Sequence, residues 1–206
     1  MDDSLKSLGD HVAASLPGAV ISQTFAHDEL TLLLDPAKLV ETVTFLRDDP
    51  ACRFSCLIDI TAVDYHGREK RFEVVTHLLS PKYIHRIRIK VLTDERTPVA
   101  SLVDVYPAAN WFERETYDLF GVYFSGHPDL RRIMTDYGFD GHPLRKDFPM
   151  TGYVEVRYDD QQKKVVYEPV RITEFRAFDF LSPWEGAEYA RPGHGSSGDE
   201  NSEKPA

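Results

Sequence analysis

Between Phe54 and Leu92, apolar and polar residues alternate in three runs separated by turn-forming clusters. This pattern limits the folds open to the chain more than any other feature. Phe54, Cys56, Ile58, Ile60 and Ala62 share one face of the first run, and Tyr65-His66-Gly67-Arg68 turns the chain. Arg71 to Leu79 returns, Ser80-Pro81-Lys82 turns it again, and Ile84 to Leu92 closes a three-stranded meander. In the last strand Ile87, Ile89 and Val91 share one face, while Arg86, Arg88 and Lys90 share the other. That basic stripe either meets an acidic partner, or it pairs across the strands with Glu73 or Asp59 or is plainly solvated; the latter, local readings are the simpler.

Helical patterns flank the meander. Ser4 to Leu16 reads as a short helix ended by Pro17-Gly18. Alternation at Ala19-Val20-Ile21 and again from Glu29 to Leu34, around His27-Asp28, predicts a hairpin. Asp35 as N-cap and Pro36 at the first helical position open a helix to about Arg47, with Leu39, Val40, Val43 and Leu46 at helical spacing. Pro107 to Phe120 reads as a second main helix, with Gly121 as its stop. The expected class is α+β: an antiparallel or mixed sheet, two main covering helices and an extended, aromatic-rich C-terminal segment. The expected organisation is an α+β domain over 1–121, a docking segment over 122–185 with a hairpin near 153–168, and a flexible polar tail over 186–206.

Composition removes several functions. The 206 residues carry 34 acidic and 24 basic side chains, a formal charge of −10, whereas general nucleic-acid binding needs a cationic field over the phosphates. No apolar run approaches the roughly 18 residues that cross a bilayer. The opening Met1-Asp2-Asp3-Ser4 resembles neither a signal peptide nor a presequence, so the chain is expected to stay in the compartment that makes it. Cys52 and Cys56 cannot form a four-cysteine cluster. On one strand they would stand about 13 Å apart, too far for a disulfide or a shared ion. The eight histidines show no metal-binding spacing. Gly193-His194-Gly195-Ser196-Ser197-Gly198 matches G-x-G-x-x-G in letters only, because no strand–helix frame for a pyrophosphate surrounds it.

The densest chemistry lies in Trp111-Phe112-Glu113-Arg114-Glu115-Thr116-Tyr117-Asp118, followed by His127, Arg131 and Arg132. On a helical wheel Ala108, Trp111, Phe112 and Leu119 form an apolar arc that includes Glu115. Glu113 falls opposite, between Ala109, Tyr117 and Phe120. Carboxylates among aromatics are costly unless each meets a cation or several donors. Arg114 and Asp118 are spaced to pair at i, i+4, and Arg131 and Arg132 reach Glu113 and Glu115 if the loop folds back. Three readings stand: an acid–base centre of Glu113, Glu115 and Asp118 for a small substrate, an internal ionic lattice, or a lattice that shapes the loop for docking. No nucleophile, metal motif or phosphate loop accompanies the carboxylates, which favours the last two.

The final third supports docking. Ten aromatics fall between Tyr137 and Trp184, and prolines at 143, 149, 169 and 183 break up long elements. Tyr153, Tyr158, Tyr167, Phe175, Phe178, Phe180 and Trp184 are the expected contacts with another protein; the alternative is that the rings of this region cover the chain's own sheet.

These residues carry a resemblance. Glu113-Arg114-Glu115, Asp118-Leu119-Phe120, then His127 leading to Arg131-Arg132-Ile133-Met134, resembles the signature of the 30-kDa subunit family of respiratory complex I. Gly141-His142-Pro143-Leu144-Arg145-Lys146-Asp147-Phe148-Pro149 and Tyr153-Val154-Glu155-Val156-Arg157-Tyr158 are similar to that family too, and the likeness spans about residues 20–185. It implies a peripheral-arm subunit of proton-translocating NADH:quinone oxidoreductase with no catalytic, cofactor or metal residue of its own. The implied partner is the 49-kDa subunit, beside other peripheral-arm subunits. FMN, iron–sulfur clusters, NADH and quinone would belong to the assembly. The implied place is the cytoplasmic side of a bacterial inner membrane, or the matrix side of a mitochondrial one. An equivalent subunit of a ferredoxin- or F420-dependent dehydrogenase, or of a membrane-bound hydrogenase, is the alternative within the same resemblance.

Overall fold

The computed structural model describes residues 3–171. Residues 1–152 form one compact unit, and a second begins at Tyr153. The first opens with helix α1 (Asp3–Ser15) and the hairpin of β1 (Val20–Ala26) and β2 (Glu29–Leu34). His27 and Asp28, at φ 53° and 59°, both adopt the left-handed conformation that a two-residue hairpin loop demands. Asp35 caps as expected, accepting from the Ala37 N–H at 3.0 Å, but the turn it opens is a 3₁₀ helix, Pro36–Lys38. Helix α2 (Leu39–Asp48) follows directly. The meander is β3 (Cys56–Asp64), β4 (Phe72–Ser80) and β5 (His85–Thr93). A short parallel pair, β6 (Val99–Ala100) and β7 (Phe124–Ser125), brackets helix α3 (Ala109–Phe120).

The main sheet has five strands in the order β1-β2-β5-β4-β3. Only the β2–β5 contact is parallel, because the chain leaves β2, crosses through α2 and lays the meander down with its last strand innermost. The sheet is therefore mixed. One continuous core gathers Val12 of α1, Leu32 of β2, Val43 and Leu46 of α2, and Phe72, Ile87 and Ile89 of the meander. Burying each such side chain contributes about 1.5–3 kcal/mol.

Alternation in β3 fails at one point. The pairing slips between Leu57 and Asp59, so Ile58 is the extra residue of a β-bulge. Leu57 packs against the core instead, while Ile58 is exposed. A strict period-2 reading cannot anticipate an inserted residue, so the face predicted for Cys56 and Ile58 is corrected to Leu57, Ile60 and Ala62. Cys52 lies outside the strand, in the turn after α2. Both cysteines are free.

Two of the three cations of the basic stripe are paired locally, and Arg86 is exposed. Lys90 pairs with Glu73 on the neighbouring strand, and Arg88 with Glu29 across the parallel β2–β5 contact.

In the second unit, β8 (Val154–Asp159) and β9 (Lys164–Pro169) form an antiparallel hairpin. Among the described residues no helix is long and apolar enough to cross a membrane.

Candidate docking site around the third helix

Helix α3 meets the sheet through the arc that carries Glu113, not the one that carries Trp111. Ala109, Glu113, Thr116 and Phe120 are buried, and the Thr116 hydroxyl donates to the Ile60 carbonyl at 3.1 Å. Trp111, on the other apolar arc, is 63% exposed. The reason is tertiary: polar backbone and hydroxyl groups wait where the helix lands. Glu113 is completely buried, and its carboxyl accepts from the Ser101 hydroxyl and the Leu102 N–H, both at 2.6 Å. Neither Arg131 nor Arg132 is its partner. Burial pushes the Glu113 carboxyl up to about 7, against the pull of those two donors.

Asp118, also fully buried, has richer company. Its Oδ2 accepts from the consecutive N–H groups of Ile133, Met134 and Thr135 at 3.0, 2.7 and 3.0 Å, and its Oδ1 from the Thr135 hydroxyl at 2.7 Å. The Arg132 Nε stands 3.8 Å from Oδ1. Burial works against the charge, but the Thr135, Met134 and Ile133 donors outweigh it and hold the carboxyl below its ordinary range. Asp118 therefore organises the loop through backbone amides, and no ion pair to Arg114 forms within 4 Å among the described residues.

The same loop closes the helix. The last four carbonyls of a helix lack intrahelical partners unless the chain supplies them. Gly121, at φ 77°, sends its N–H back to the Tyr117 carbonyl at 2.8 Å. His142 Nδ1 donates to Asp118 O at 2.8 Å, the Leu144 N–H to Leu119 O at 3.0 Å, and the Arg145 Nε to Phe120 O at 2.6 Å. Burial holds the His142 pKa below its usual value, so the ring stays neutral at pH 7. His127 fastens the other end. Its Nδ1 accepts from the Asp129 N–H at 3.0 Å, so Nε2 carries the proton and donates to Asn110 O at 3.1 Å. Arg131 binds Asp129 at 2.9 Å on the surface.

A second fastening joins this loop to the sheet. Arg71 grips Asp64 with two bonds of 2.7 Å, Asp147 at 2.8 and 3.1 Å, and Glu95 at 2.8 Å, while Asp64 also accepts the Lys146 N–H at 2.7 Å. The Asp64 side chain is wholly buried, and the Arg71 guanidinium holds its carboxyl below the usual range. Sequence reasoning missed Asp64, Arg71, Ser101, Thr135, His142 and Arg145 as members of this site. The one available signal was an acid and a base bracketing the Tyr65–Lys70 turn.

In the hairpin Val154, Val156 and Tyr158 face Pro169, Tyr167 and Val165 across the strands, so these side chains share a face. Val154, Val156, Tyr158, Val165 and Tyr167 are each more than half exposed. Glu155, Arg157, Asp159, Lys164 and Glu168 lie on the reverse together with Val166, and there Arg157 pairs with Glu168 at 2.6 Å. Tyr153, at the foot of the hairpin, is exposed as well. The predicted contacts Phe175, Phe178, Phe180 and Trp184 lie outside the described residues.

His11, Asp49 and Cys52 bring possible ligand atoms within 4.8 Å of one another. The geometry is that of a turn, with Asp49 accepting from the Ala51 N–H at 2.9 Å and from His11 at 3.2 Å. Burial pushes the Cys52 thiol up to about 12, which opposes thiolate ligation.

The model of the family described as respiratory-chain NADH dehydrogenase, 30 Kd subunit, matches residues 32–154. A protein of Xanthobacter autotrophicus, named as a subunit of NADH-quinone oxidoreductase, is 66% identical over 94% of this chain and 93% of its own length. Its counterpart of the same name from Caulobacter vibrioides is 64% identical over 94% of this chain and 98% of its own. A chain in the structure of an archaeal respiratory membrane complex, the membrane-bound sulfane sulfur reductase, superposes with a TM-score of 0.61 at 25% identity. That match covers 78% of this chain and 98% of the archaeal one. With its signature acid Asp118 bound to the loop amides, and with relatives this similar along nearly their whole lengths, the chain belongs to the 30-kDa subunit family of respiratory NADH dehydrogenase, the NADH-quinone oxidoreductase of complex I.

Proposed function

We propose that this chain is a docking subunit that makes and breaks no bond itself, seated at the periphery of the membrane complex against the 49-kDa subunit. The single observation that carries this reading is the hairpin with one charged face and one uncovered apolar face. An isolated two-stranded hairpin is at best marginally stable in water, and five exposed Val and Tyr side chains on one side ask for a protein surface. Two of the three carboxylates of the acid–base reading speak for the same role. Glu113 and Asp118 have no solvent exposure, and their oxygens are committed to Ser101, Leu102 and the amides of residues 133–135. Electron transfer from NADH to quinone, with its flavin and iron–sulfur centres, then belongs to the other subunits. The Tyr158→Ser/Tyr167→Ser variant tests this. The chain should melt as before on its own, yet be lost from the purified complex, with NADH–quinone activity falling in proportion. Full retention, or flavin or iron bound stoichiometrically by the lone chain, would refute the reading.

A further inference from the structure

The turn between β4 and β5 ends on a residue unsuited to a free chain in both backbone and side chain. Ser80 pairs with His85, so residues 81–84 form a four-residue loop. Ile84 closes that loop at φ 57°. Gly or Asn ordinarily fills such a left-handed position, because a branched Cβ crowds the neighbouring backbone there. Among the described residues the other non-glycine positions with positive φ are His27, Asp28, Arg53 and Lys163, none of them apolar. Ile84 is also 85% exposed, more than any other Val, Leu or Ile side chain among the described residues. Burial within the chain therefore offsets none of the conformational cost.

The tip is held in place by its neighbours. The Tyr83 hydroxyl donates to the Pro50 carbonyl at 2.7 Å, its ring stacks with His85 at a centroid distance of 6.3 Å, and the Lys82 ammonium stands 4.9 Å from its centroid. The charge around it has one sign. Lys82 and Arg86, two positions to either side of Ile84, are exposed. Unlike Arg88 and Lys90 further along β5, neither forms an ion pair within 4 Å among the described residues. No acid occurs in the sequence between Glu73 and Asp94. The turn that Tyr83 touches follows Asp48 and Asp49, but Arg47 already binds the first and His11 the second. Backbone strain that the fold does not use is characteristic of functional positions. We propose that Ile84 is the anchor of a second contact with a neighbouring subunit, entering an apolar pocket whose rim carries Asp or Glu opposite Lys82 and Arg86. Complementary rim charges set partner and register, while the seated side chain supplies the affinity. An anionic lipid surface has the same sign of charge. One isoleucine, however, offers far less apolar area than a single acyl chain, which itself holds a protein to a bilayer only marginally. This inference rests on the docking reading but uses a different surface from the hairpin, and the two fail separately.

The proposal makes stability and assembly move in opposite directions, which a merely structural role would not. Ile84→Gly relieves the strain and removes the anchor. The melting temperature of the lone full chain should rise by about 2–4 °C. The fraction retained in the detergent-purified complex should fall about tenfold or more, the scale of one aliphatic side chain no longer buried. Unchanged retention overturns the proposal, and so does a melting temperature that stays the same or falls. Lys82→Glu/Arg86→Glu keeps the anchor and reverses the rim. Its retention should drop at low salt and recover towards that of the parent as salt is raised. Retention equal to the parent's at low salt overturns the proposal. A photo-crosslinking amino acid at position 82 then identifies the neighbour in the assembled complex. Attachment to an Asp- or Glu-bearing stretch of another subunit supports the proposal. Attachment to lipid, to this chain itself, or to nothing overturns it. Loss of the hairpin contact in the Tyr158→Ser/Tyr167→Ser variant, with that crosslink preserved, leaves this contact standing. Unchanged retention of Ile84→Gly in turn leaves the hairpin reading intact.

Discussion

Glu113 and Asp118 sit five positions apart on one helix, are equally buried, and respond to pH in opposite directions. The Glu113 pKa rises to about 7 on folding because burial outweighs its two donors. Its contribution to stability is complete below about pH 4.5, declines as pH rises through 7, and is then flat, a span of about 3 kcal/mol. Glu113→Gln should remove that contribution, so in urea unfolding at pH 5 and pH 8 the parent should lose stability relative to the variant as the pH rises. Asp118 is held below its ordinary value by four donors, so its stabilising effect is present above about pH 4 and disappears as pH falls through the lowered pKa. Asp118→Ala leaves three partly buried backbone N–H groups without their acceptor. It should cost about 3–5 kcal/mol at pH 7, read from the same unfolding curves.

At the level of elements, the loop after α3 is regular in function though not in shape. Residues 133–135 bind one side chain of the helix, residues 142–145 cap its end, and Lys146 and Asp147 tie the loop to Asp64 and Arg71. Gly121→Ala tests the cap. A Cβ there would collide with an Arg145 nitrogen and stand 2.7 Å from the His142 Nε2, in a backbone conformation that already disfavours a side chain. The expected loss is about 2–3 kcal/mol, with a lowered melting temperature. Arg71→Ala strands the wholly buried Asp64 and should cost about 3–5 kcal/mol. A double-mutant cycle with Asp147→Ala should show coupling, since Asp147 binds the same guanidinium.

At the scale of the whole molecule, the core cluster lies wholly within residues 1–152. A chain ending at Gly152 should therefore unfold in one cooperative transition with a midpoint close to that of the full chain, followed by circular dichroism. The amino-acid order alone determined the helices, the meander, the hairpins and the family. Each rests on local signals: a period of two or of 3.6, a cap, a Gly or Pro stop, or a run of signature residues. It placed Glu113, Asp118 and the loop arginines in one neighbourhood without deciding their partners. Only the tertiary structure showed that Glu113 meets Ser101 and the Leu102 amide, that Asp118 binds amides, that Trp111 faces out, and that β3 carries a bulge. Those outcomes depend on which backbone donors and carbonyls stand where the helix docks. That is a property of segments distant along the chain, and no periodicity within the helix encodes it.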